Sequence, residues 1–294
     1  MRRLIINADD FGLTERINDA IIECHRNGIV TSATLMANGP AFDNATERAT
    51  ADPKLGIGIH LNLSEGTPIS DPSQLGSLIN ERGRFHLLPV QMLRKLMVKG
   101  ICLCKVEMEL RAQIEKVLNA GIAVTHLDGH KHFHIIPQFL QIALRLAQEY
   151  KIPAIRCAGE RTTRLFRLAG RNWRSSPTIL KQYVTGKALS ILASTMKARV
   201  ESAGLKAPDY VLGISATGFL DSHHLRILIP RLPDGTSELV CHPGYVDKQL
   251  MESPTRLYQQ RETEIKALIS PEVKEWLDRC GVQLINYRDL CGEA

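Results

Sequence analysis

The chain has no apolar run near the ~20 residues that a membrane-spanning helix needs. Its basic start, Met1-Arg2-Arg3, is followed by only three apolar residues before Asn7, too few for a signal peptide. These two absences predict a cytoplasmic protein. The seven cysteines are odd in number and scattered, which argues against a disulfide framework. Cys102 and Cys104 are too close for a zinc knuckle, so most cysteines are read as small buried residues. No G-x-G-x-x-G and no P-loop follows any apolar run, which disfavours nucleotide binding. No fixed-period repeat and no low-complexity linker interrupts the 294 residues.

What is present is an ordinary soluble composition, 44% hydrophobic and 23% charged. The net charge of +6 is unevenly placed. Residues 161–199 carry nine Lys/Arg and no Asp/Glu, and the rest is slightly acidic. A nucleic-acid binder would spread its basic residues over its structured elements, so no nucleic-acid partner is expected.

Apolar and β-branched runs alternate with helical patterns along the chain. Strands are predicted at Leu4–Ile6, Ile29–Ala37, Leu55–Leu63, Ile122–Asp128, Ala154–Cys157, Tyr210–Ile214, Glu238–Cys241 and Val282–Ile285. Helices are predicted between them, among them Thr14–Asn27, Val106–Asn119 and Pro137–Tyr150. A long excursion from Ser64 to about Leu103 should be functional or hold small elements of its own. Such alternation means parallel strands with crossover helices, in a (β/α) barrel or an open doubly wound sheet. In both, chemistry sits at the C-terminal strand ends.

The reactive residues fall at those ends. Asp9 and Asp10 close the first strand and would point in opposite directions if the strand continued through them. A blander reading has Asp10 or Thr14 capping the next helix. His60 lies near the end of the third strand, and His242 follows the strand at Glu238–Cys241. The fourth strand ends in His126-Leu127-Asp128-Gly129-His130-Lys131-His132-Phe133-His134. Positions 126, 128, 130, 132 and 134 would share one face of an extended segment, at the wet mouth of a site. Imidazole with carboxylate suits Zn, Fe, Mn or Ni, and one ion needs about three protein ligands with a position left open. The acid and histidine left over would move protons.

With these motifs the chain resembles the YdjC/ChbG-like carbohydrate deacetylases, relatives of the polysaccharide deacetylases. The resemblance rests on Asn7–Gly12 (NADDFG), Gly28–Ser32 (GIVTS), Gly58–His60 (GIH), Thr125–His130 (THLDGH) with Lys131–His134 (KHFH), and Cys241–Tyr245 (CHPGY). It implies an α/β fold, a distorted polysaccharide-deacetylase-like (β/α) barrel, formed as one domain of residues 1–294 with a basic insertion at about 158–206. It implies one divalent metal ion, Mg or Zn, on Asp10, His60 and His130. It also implies a catalytic base at Asp9 and a general acid at His242. Arg156 falls where relatives hold an arginine against the base; with His132 and His134 it is a candidate for binding substrate or orienting the base.

Within the family the chain looks most like the hopanoid-associated HpnK branch, on the basic insertion and on Pro208–Gly213 (PDYVLG) through Leu232–Gly235 (LPDG). That likeness implies an N-acetylated sugar or glycolipid substrate, an N-acetylglucosamine-type sugar on a hopanoid. Chitooligosaccharide deacetylation is the alternative, and a metal-dependent phosphoesterase the rival chemistry. The insertion, basic with interleaved Leu, Phe and Trp, is expected either to make a peripheral contact at the inner membrane or to form a homodimer contact.

Overall fold

The computed structural model describes residues 1–157, 196–214 and 216–292. Its frame begins with β1 (Arg2–Phe11), where Leu4, Ile5 and Ile6 are buried on both sides of the strand. Each such side chain contributes about 1.5–3 kcal/mol when fully buried. The other strands among the described residues are β2 (Ser32–Leu35), β3 (Gly56–Leu61), β4 (Val124–Gly129), β5 (Tyr210–Leu212), β6 (Gly235–Cys241) and β7 (Val282–Leu284). Every pairing is parallel, in the order β4-β3-β2-β1-β6-β5. Helices therefore link the strands and cover the outside, as parallel sheets require.

The sheet curls because β1 changes partners along its length. Arg2–Leu4 pair with β7, and Asn7–Phe11 pair with β2. Beyond β4, single bridges carry the curl onward: Leu127 pairs with Ile155, and Ala154 with Lys206. The strand predicted at Ala154–Cys157 is thus reduced to these bridges. The outcome is the distorted (β/α) barrel expected from the sequence.

The first helix, Glu15–Arg26, buries Ile17, Ala20, Ile21 and Cys24, which recur at helical spacing. Thr14 is its cap, accepting from the Ile17 N–H, and Asp10 takes no part. The excursion after β3 carries short helices at Pro72–Leu75 and Pro89–Met97. Its start is tied down by Glu109 on the helix Leu103–Asn119, which accepts from the Ile69 and Ser70 N–H groups at 3.0 and 2.8 Å. Cys102 and Cys104 are joined as a disulfide, while Cys24 and Cys241 are free and buried, and Cys157 is buried.

The basic insertion lies outside the described residues from 158 to 195. Its end belongs to the fold: residues 196–202 are helical, Met196, Val200 and Leu205 are in the core, and Lys206 joins Ala154.

The histidine-rich stretch does not run on as an extended segment with one polar face. β4 ends at Gly129, and residues 130–135 form a tight turn in which Lys131 and His132 have left-handed backbones, φ 55° and 57°. The period of two is lost there, so the five polar side chains disperse. His126 lies inside the barrel, stacked on Tyr287 at 3.5 Å between ring centres. Gly58 makes room for it, since a Cβ there would come within 2.4 Å of the ring.

Candidate active site

Both carboxylates near the end of β1 reach the mouth because the strand does not stay regular. Its register against β2 shifts between Ala8 and Phe11, and Asp10 has φ 68°, a conformation Asp tolerates better than most residues. Strict alternation, which would have turned the two aspartates apart, therefore fails at Asp10.

Asp10 meets two histidines from other strand ends. Its Oδ1 lies 3.3 Å from His130 Nδ1 and 3.7 Å from His60 Nε2, and those two nitrogens are 3.2 Å apart. Ligand atoms about 2.1 Å from one tetrahedral ion would be roughly 3.4 Å from each other. Asp10 Oδ1 is buried with no hydrogen-bond donor. The donor set and that orphaned oxygen both fit a divalent cation.

The groups behind these three fix their orientation. Asp10 Oδ2 accepts from Arg261 Nη2 at 2.6 Å. His60 Nδ1 faces Asp128 Oδ1 at 2.7 Å, and His130 Nε2 faces Glu65 Oε2 at 3.1 Å. A carboxylate on the far nitrogen sets the tautomer of a ligating imidazole and raises its basicity. Burial alone would raise the Asp10 carboxyl, but Arg261 and then His130 hold it well below the carboxylate range. Burial opposes charge on His130 as well, yet the Asp10 and Glu65 carboxylates beside it push it up to about 9. The field at the centre of the triangle thus favours positive charge.

Asp9 stands in a different environment. Arg156 grips it with two bonds, Nη1 to Oδ2 at 2.9 Å and Nη2 to Oδ1 at 2.7 Å. Asn7 and Thr34 also donate to Oδ1. Burial would raise its carboxyl, and the Arg156 guanidinium outweighs that and holds it far below the ordinary value. The remaining approach to Oδ2 is faced by His242 Nε2 at 4.0 Å. Burial pushes His242 down to about 4, against the pull of Asp9 and Asp10. Its Nδ1 has no partner, and its backbone N–H donates to Glu264 Oε2 at 2.5 Å.

Asp9, His60 and Asp128 form a second group with metal-ligand spacing. Arg156 already serves it: Nη1 lies 2.6 Å from Asp128 Oδ2, and the same fork holds Asp9. A guanidinium in contact with both carboxylates repels a cation, so the Asp10 triangle is the better ion site. Arg156 is buried and is held in turn by Glu238, at 2.9 Å from its Nε, with Tyr287 donating to Glu238 at 2.7 Å.

The residues singled out in the sequence are therefore distributed unevenly. Asp9, Asp10, His60, His130, Arg156 and His242 converge on the mouth. His134 turns away, its Nε2 bonded to the Arg156 carbonyl at 3.1 Å, and burial lowers it to about 4. His132 has an unpartnered Nδ1 and is lowered to about 3 by burial and then Arg156. Neither touches the triangle, so they do not share the ion. Sequence reading missed Glu65, Glu238, Arg261, Glu264 and Tyr287. Glu65 follows β3 closely enough to have been suspected; Arg261 and Glu264 look like surface charges of an ordinary helix.

Known proteins resemble the chain along most of its length. Residues 3–279 match the model of the YdjC-like proteins. A carbohydrate deacetylase of Geobacillus stearothermophilus is 36% identical over 98% of both chains. One from Oceanobacillus iheyensis is 33% identical over 94% of this chain and 100% of its own. The crystal structure of a candidate cellobiose-phosphate cleavage protein from Enterococcus faecalis superposes with a TM-score of 0.77 at 29% identity, covering 98% of each chain. On the strength of a family match running almost end to end, the chain belongs to the YdjC-like family.

Proposed function

We propose that this protein is a metal-dependent carbohydrate N-deacetylase, one domain with a basic insertion, acting on an N-acetylglucosamine-type sugar. The observation that carries the reading is the pairing of two unlike carboxylates at one strand end. Asp10 opens an unpartnered oxygen toward two imidazoles, and beside it Asp9 faces His242. The relatives named as carbohydrate deacetylases support the reaction class.

Asp10, His60 and His130 would hold the ion, which when bound supplies polarisation of the amide carbonyl and a lowered pKa for water. Asp9 accepts the proton of the attacking water through Oδ2. Arg156 makes Asp9 a poor resting place for that proton, which favours passing it on. The departing amine needs a proton: His242, neutral at rest, takes it from Asp9 Oδ2 on Nε2 and delivers it. The water proton thus ends on the amine, and the acetyl group leaves as acetate. Glu264 holds His242 by its backbone, and Arg156 holds Asp9 by its fork. His132 and His134 take no part in this path: neither touches the triangle, and His134 Nε2 is bonded to the Arg156 carbonyl.

A phosphoesterase of this kind would usually want two metals. The second cluster is already occupied by Arg156, which favours the deacetylase. Between sugars, the PDYVLG and LPDG motifs favour a hopanoid glycolipid over a chitooligosaccharide. Incubation with N-acetylglucosaminyl lipid and with chitooligosaccharides, followed by mass spectrometry, tests both levels. Loss of an acetyl group from the glycolipid first is expected. Hydrolysis of phosphate esters with no deacetylation would sink the reading.

A further inference from the structure

The excursion after β3 leaves an apolar stripe in water. On the helix Pro89–Met97, Val90, Leu93 and Met97 are exposed, at 62%, 42% and 77%, on one face at helical spacing. Leu88 and Val98 continue the stripe at 50% and 76%, while Met92 on the opposite face is fully buried. Most of the large exposed apolar side chains of the described residues fall in this one short segment. Contiguous exposed apolar surface marks an interaction site more often than chance.

The charge around the stripe is of one sign. Residues 82–106 contain Arg82, Arg84, Arg94, Lys95, Lys99 and Lys105 and no Asp or Glu. No ion pair among the described residues engages any of these cations. The helix packs against the 130–135 turn, which carries His130, so it lies beside the candidate active site. A second copy is a poor occupant, because a two-fold contact would set these cations against themselves. Residues 158–195 are a poor occupant too, with seven Lys/Arg and one Asp/Glu. Apolar side chains interleaved with cations suit the headgroup boundary of an anionic bilayer.

We propose that the helix Pro89–Met97 docks the protein on an anionic lipid surface. No helix among the described residues is long and apolar enough to cross a membrane, so the contact is peripheral. Docking needs no turnover, so it stands or falls apart from the deacetylase reading. The test is sedimentation of the full chain with vesicles of phosphatidylcholine, alone or mixed with phosphatidylglycerol, at low and high salt.

Wild type should sediment only with the anionic vesicles and be released as salt rises. The variant Arg94→Gln/Lys95→Gln/Lys99→Gln should bind on the order of 100-fold more weakly, from about 1 kcal/mol per basic residue. Val90→Gln/Leu93→Gln/Met97→Gln should also lose binding, with an unchanged melting temperature because its side chains are in water. Absence of binding at low salt would overturn the proposal. So would full binding by both variants with loss only when Arg161, Arg164, Arg167, Arg171 and Arg174 become glutamine. A fall in solution mass of the variants, without a change in vesicle binding, would instead show the stripe to be a contact between copies.

Discussion

Asp9 and Asp10 are adjacent, buried and each bonded to a buried arginine, yet their surroundings differ. Arg156 takes both oxygens of Asp9 in a bidentate fork, leaving one side of Oδ2 open toward His242. Arg261 takes one oxygen of Asp10 and leaves the other without a donor, aimed at His60 and His130. A carboxylate saturated by a fork makes a poor ligand and a positioned proton acceptor. A carboxylate held by one oxygen makes a good ligand. The difference lies in how many bonds each arginine makes, which residue type alone does not reveal.

The harshest way to break this comparison is to remove the imidazoles on the Asp10 side. His60→Ala/His130→Ala should lose its metal and its turnover altogether; full metal occupancy by elemental analysis would dismiss the triangle. Next comes Asp9→Asn, which keeps the shape and loses the proton acceptor. Its kcat should fall by ~10²–10⁴ with metal retained. A near-normal kcat would move the base elsewhere.

Arg261→Met sharpens the contrast further, since it frees Asp10 Oδ2 without touching a ligand atom. Loss of a group that orients a ligand costs roughly 10–100-fold in metal affinity. Calorimetric titration with Zn or Mg should show that drop, and an unchanged affinity in a folded variant would reduce Arg261 to a packing role. Glu65→Gln should have the smallest effect, near the lower end, about 10-fold, because a neutral amide still bonds to His130. An effect exceeding that of Arg261→Met would reverse the ranking.

The alternation of strands and helices was legible because a parallel sheet writes continuous apolar runs, as in Leu4–Ile6. The strand-end positions of Asp9, Asp10, His60 and His242 followed from it. The geometry of residues 126–134 was not legible: a period of two holds only while the backbone stays extended, and Lys131 and His132 leave that region. His126 was misplaced for another reason. Its burial depends on a glycine on a neighbouring strand, Gly58, 68 residues away, as the Thr125 contact to that strand also is. Arg261 was invisible because it bonds to Asp10 across 251 positions of sequence, and a helix such as Gln259–Leu268 shows no sign that one of its cations is buried.

The central claim is that neighbouring aspartates divide the labour, one for the ion and one for the proton. Metal content per chain, measured alongside turnover on an N-acetylglucosamine substrate in Asp9→Asn and Asp10→Asn, tests it most directly. The account predicts that Asp9→Asn carries its metal without turnover, and that Asp10→Asn carries little metal. Equal metal loss in both variants, or turnover surviving in Asp9→Asn, would contradict it.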